Sequence, residues 1–90
     1  MMMCKGEMEL KDTVDMMISY DYRKRFQAEY YQLKIRASGL EKMLKKHDEG
    51  ELEFMLSNPA SVYREQLHVM KLYMDILEQR AKNEDVFLDK

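Results

Sequence analysis

Ninety residues with a formal net charge of −2, three Gly, one Pro and 36% charged side chains bound one small domain, which commonly needs outside support such as oligomerisation. The lone cysteine, Cys4, excludes an internal disulfide and points to a reducing compartment. The wealth of Met, Leu, Glu, Lys and Gln excludes a sheet protein or a disordered tail and predicts an all-α fold.

The opening MMMCKGEMEL has no apolar run before Glu7 and Glu9, so it does not read as a secretory leader. No apolar stretch is long enough to span a membrane. The cytoplasm is the expected setting. Residues 1–20 read as an extension or a short helix, with Leu10, Val14, Met17 and Ile18 at helical spacing.

Residues 21–47 predict the first long helix. Phe26, Tyr30, Leu33, Ala37, Leu40 and Leu44 recur at steps of four and three, a heptad seam along about 40 Å of helix. Asp21 or Ser19 can serve as N-cap. Ser38-Gly39 in mid-helix costs about 1 kcal/mol and leaves a flat spot where another backbone or a ligand can approach. Lys45, Lys46 and His47 suit the negative end of the helix dipole. Gly50 is the expected chain reversal. Leu52, Phe54 and Leu56 of the acidic loop 48–58 are expected to cover the open end of the helix pair.

Asn58-Pro59 predicts the start of a second long helix over 59–83, with Asn as N-cap and Pro at the first helical position. Its seam is Tyr63, Leu67, Met70, Met74, Leu77 and Ala81. Two matched seams and a short connection predict an antiparallel helical hairpin. A second apolar row, Val62, Val69 and Ile76 broadened by Leu72 and Tyr73, lies on another face. A hairpin covers only one row. The N-terminal segment is expected to cover part of the other, and a second copy the rest, most simply as a two-fold dimer. In the tail 84–90, Val86, Phe87 and Leu88 can dock on the hairpin or belong to a partner surface.

No catalytic constellation is visible. His47 and His68 lie on different helices, no His or Cys pair has metal-ligand spacing on one face, and Gly-rich phosphate loops are absent. Glu51 and Glu53 read as loop charges, and Cys4 has no setting that would activate it. Neither an enzyme nor a metal or cofactor is expected. Met16, Met17, Met43 and Met55 fill the core or form an adaptable surface.

The charge is uneven. Residues 21–47 carry eight Lys/Arg against three Asp/Glu, and residues 48–58 carry four acids and no base. A basic helix in an acidic protein points to an anionic partner, the plainer alternative being a solvated face neutralised by its neighbours. On a helical wheel, Phe26 and Tyr30 face the seam with Tyr22 at its edge. Tyr20, Lys24, Gln27 and Tyr31 share an outer face, Arg23 and Arg25 flank the seam, and Arg80 and Lys82 return near Arg23. Tyr20, Arg23, Lys24, Gln27, Tyr31 and Arg80 therefore form the candidate site. Cations take phosphate and tyrosines stack on a base. The alternative is that these tyrosines pack against the N-terminal segment or a second chain. Direct nucleic-acid binding is not expected, since the net charge is negative and eight bases on one helix make no reading motif.

The run YRKRFQAEYYQLKIRASGLEKML, the pair Leu56-Ser57 and the run REQLHVMKLYMDILEQR together resemble a family of small helical-hairpin proteins of tailed phages, including crAss-like phages. The spacing of Gln66-Leu67, Met70, Tyr73, Leu77 and Arg80 is its most distinctive part, and Arg25, Glu29, Leu33 and Leu40 add to it over residues 22–83. The architecture is also similar to the phage hairpin sponges that counter CBASS and Thoeris immunity. That likeness implies a homo-oligomer in the cytoplasm of an infected bacterial host, holding a cyclic nucleotide-type signal between chains without cleaving it. The alternative is an interaction module that binds a host defence protein or a phage protein through the second apolar face. The resemblance supplies no binding residue; the candidates rest on the wheel alone.

Overall fold

A computed structural model describes residues 8–89; Cys4 and Lys90 lie outside the described residues. A 3-10 turn, Leu10–Thr13, runs into a short helix α1 (Val14–Met17), followed by α2 (Tyr22–Asp48) and α3 (Ala60–Glu84). The fold is all-α, a short N-terminal helix plus two long helices packed as a hairpin.

Local chemistry sets the helix ends. Asp21 is the N-cap of α2, its carboxylate accepting from the Arg23 amide at 2.9 Å. At the other end Gly50 takes φ 72°, a conformation that L side chains rarely adopt. The Gly50 amide donates to His47 and the Glu51 amide to Lys46, closing a Schellman motif that reverses the chain. The start of α3 differs from expectation. Pro59, in extended geometry, is the N-cap residue itself, and the helix begins at Ala60. Asn58 lies one residue outside the cap, and its amide donates to the Tyr63 hydroxyl at 3.1 Å. At its C-terminus Asp85 is left-handed, and the Val86 amide reaches back to the Ala81 carbonyl at 2.9 Å.

α2 is the middle layer. Its seam residues Phe26, Tyr30, Ala37 and Leu44 are buried, with Leu33 and Leu40 half-buried. They meet Leu77 and Ala81, buried, and Tyr63, Leu67, Met70 and Met74, half-buried. Burial thins toward the loop. There Leu52 and Leu56 are half-buried, but Phe54 projects into solvent and does not cover the open end.

The opposite side of α2 carries the N-terminal segment. Thr13 is fully buried there, donating to the Leu10 carbonyl at 2.7 Å and accepting from Gln32 at 2.9 Å. Satisfying that hydroxyl fixes the segment's orientation. Thr13 and Met16 turn inward, and Leu10, Val14, Met17 and Ile18 turn out. The expectation that this segment covers the second row of α3 is therefore corrected. Among the described residues it packs on α2 and not on α3. Val62, Val69, Leu72, Tyr73 and Ile76 all remain exposed.

Beyond α3 the chain turns back along α2. Val86 is buried with Phe26, Tyr30, Tyr31, Leu77 and Ala81, and Leu88 packs at the edge of that cluster. Phe87, between them, points outward.

Candidate functional site

The two long edges of the hairpin differ in chemistry. On one, Arg64 grips Asp48 with two hydrogen bonds of 3.0 and 2.5 Å, and Lys71 meets Glu41 at 3.0 Å. These pairs rim a groove of about 650 Å³ floored by Leu44 and Leu67. Its cations and carboxylates are largely spent on each other. The arginine beside Asp48 holds that carboxyl below its usual range. The other edge bears the uncovered apolar row of α3, tied to α2 by the Tyr73 hydroxyl donating to Glu29.

The six candidate residues fall into three settings. Tyr20 precedes the helix, two residues before Tyr22, and is fully exposed. Arg23 and Lys24 occupy the first turn of α2, both exposed, and neither has a partner among the described residues. Cations in the first turn oppose the positive end of the helix dipole. Their neighbour Arg25 is anchored, donating to the Ser19 carbonyl at 2.7 Å.

Gln27 and Tyr31 continue the Lys24 side of the helix, where the tail covers them. The Gln27 amide donates to the Phe87 carbonyl at 2.9 Å, and the Tyr31 hydroxyl accepts from the Asp89 amide at 2.8 Å. Tyr31 is only 9% exposed and stacks edge-on against Tyr30. Its expected place on a free outer face is thus corrected. The apolar run Val86–Leu88 after a helix stop was the signal in the sequence, since it needed somewhere to dock.

Arg80 stands elsewhere. Its guanidinium lies 4.9 Å from the centre of the Phe26 ring and donates to Tyr22 at 2.8 Å and to Glu84 at 3.2 Å. Tyr22 also donates to Glu84, at 2.7 Å. The Tyr22 bond and then the Arg80 contact hold the Glu84 carboxyl below its usual range. That same bond to Glu84 chiefly raises the Tyr22 hydroxyl. Tyr22 and Lys24 point about 160° apart around the helix, so Arg80 does not join Lys24 and Gln27. Arg80 is instead committed to a closed triad with Tyr22 and Glu84.

A second groove, of about 700 Å³, lies between the N-terminal segment, α2 and the tail, with Tyr31, Ile35, Ser38, Gly39 and Lys42 along its α2 side. At Gly39 nothing lies within 4 Å of where a Cβ would sit. No cluster of His, Cys, Asp or Glu suited to a metal ion is present among the described residues, nor a helix long and apolar enough to cross a membrane.

Fold and site together define a small helical hairpin with unpartnered cations at one end and an uncovered apolar row along one edge. The model of the Sequestin family matches residues 20–83, and the chain belongs to that family. No curated protein and no solved structure matches it.

Proposed function

We propose that this protein is a sponge: a homo-oligomer that sequesters an anionic, cyclic nucleotide-type immune signal without cleaving it, in an infected bacterial host. Membership of a family named for sequestration supports a holding role over catalysis. The observation that carries the ligand class is the pair Arg23 and Lys24, whose exposed side chains have no ion-pair or hydrogen-bond partner among the described residues, in the first turn of α2 beside the exposed ring of Tyr20. A local choice that breaks the dipole rule without a partner is characteristic of a functional site. Phosphate or pyrophosphate pairs with the two cations, and Tyr20 stacks on a base. Tyr31, Gln27 and Arg80 act behind them. The first two shape the wall, and Arg80 with its triad stiffens the end of the hairpin. Oligomerisation through Val62, Val69, Leu72, Tyr73 and Ile76 would bury the row that the N-terminal segment leaves open.

Isothermal titration against cyclic dinucleotides, cyclic ADP-ribose and linear controls tests this reading, at protein concentrations that saturate assembly. Saturable binding with the ligand recovered intact is the expected result. No heat with any member sinks it.

The uncovered row also favours a second reading, an interaction module for a host or phage protein. A partner retained at fixed stoichiometry on purification from infected cells, with no nucleotide bound, would favour that over the sponge.

A further inference from the structure

The tail lies outside the matched residues 20–83, yet it is built into the fold at the candidate site. Val86 is 7% exposed within the core cluster, and two side chains of α2 bind the backbone on either side of Leu88. Gln27 takes the Phe87 carbonyl and Tyr31 takes the Asp89 amide. Phe87 itself makes no such commitment, and its ring is 72% exposed. Gln27 follows Arg23 and Lys24 by four and three residues, neighbouring positions on a helix with Cβ atoms about 5–6 Å apart. The tether therefore holds the Phe87 backbone at the Gln27 side chain, whose own position is one turn from the two unpartnered cations.

We propose that Phe87 is a ligand-contacting residue of this chain, an apolar ring carried by the tail to the edge of the cation pair. Gln27 and Tyr31 are the positioning residues that hold it there. This rests on the sponge reading. It adds a specificity element that the family's matched segment does not contain. An aromatic face beside two cations suits a ligand with a flat base next to a phosphate, and disfavours a bare inorganic phosphate.

The test compares the unmodified protein with Phe87→Ala, Phe87→Tyr and Gln27→Ala, by titration with cyclic GMP–AMP, cyclic ADP-ribose and inorganic pyrophosphate. Phe87→Ala should weaken binding of the base-bearing probe about tenfold, the scale of one lost stacking contact, and leave pyrophosphate binding unchanged. Phe87→Tyr should retain affinity. Gln27→Ala should speed hydrogen exchange of the tail amides in the free protein and weaken the base-bearing probe, with the thermal midpoint of α2 and α3 little changed. If the unmodified protein binds a base-bearing probe and Phe87→Ala binds it equally, the inference is wrong and the sponge reading stands. If it binds none, both fall.

Discussion

Asp85 adopts φ 57°, in a region that glycine enters freely and other residues enter at some cost. Aspartate tolerates it better than most, but its exposed side chain does nothing else to hold the tail turn. Asp85→Gly should therefore gain about 0.5–1 kcal/mol, seen as a rise in the thermal midpoint. Gly39 is the opposite case, a glycine in mid-helix with open space where a side chain would go. Gly39→Ala should stabilise the free protein by about 1 kcal/mol. The core gives the contrast. Phe26 is 3% exposed, packed against α3 with the Arg80 guanidinium over its ring, and Phe26→Ala should cost about 3–5 kcal/mol in denaturant unfolding. Lys24→Ala should stay within about 0.5 kcal/mol of the parent, as an exposed side chain without partners. Tyr31→Ala belongs with Phe26 and not with Lys24, because the tail has made its ring part of the core.

The helices and their facing seams were legible because a 3.6-residue period leaves a clear stripe in twenty-five residues or more. Phe26, Tyr30, Leu77 and Ala81 are buried where the stripe put them. Short segments carry no such redundancy. In residues 10–18 the apolar spacing of Leu10, Val14, Met17 and Ile18 suggested an inward face, yet one buried hydroxyl, Thr13, turned that face outward. Thr13 is tolerated inside because its hydroxyl is satisfied, donating to Leu10 and accepting from Gln32, where a buried hydroxyl without a partner would cost about 1–3 kcal/mol. The site was only half legible for a related reason. A wheel places Lys24, Gln27 and Tyr31 on one side of α2, but cannot say that the end of the same chain lies over two of them. If the exposed row of α3 is the subunit contact, Val69→Asp together with Ile76→Asp should reduce the mass measured by light scattering. Helical circular dichroism should remain intact.

For the whole molecule, the tyrosines set the alkaline limit. Tyr22, Tyr30 and Tyr73 each donate to a carboxylate, and each hydroxyl is pushed above its ordinary value. For Tyr30, burial is the first cause and the 2.5 Å bond to Glu78 the second. In the unfolded chain these groups release protons near pH 10. Their folded values lie higher, so their contribution is complete below about pH 10 and is lost as pH rises through the folded values. Asp48 and Glu84 shift the other way. Their contribution is present above the ordinary carboxylate range and lost as pH falls through their depressed values. Thermal melts should show a plateau through neutral pH with a fall on both sides. Tyr30→Phe should shrink the alkaline fall and leave the acid one in place.

The unlike edges of the hairpin imply opposite responses to dissolved salt. Screening over about 8–10 Å near physiological ionic strength weakens whatever Arg23 and Lys24 hold, and loosens the exposed Arg64–Asp48 and Lys71–Glu41 pairs. Sulfate strengthens the burial of apolar surface instead, and so favours closure over Val62, Val69 and Ile76. Raising sulfate should thus drive assembly while emptying the cation end, separating in one titration two events that would otherwise occur together.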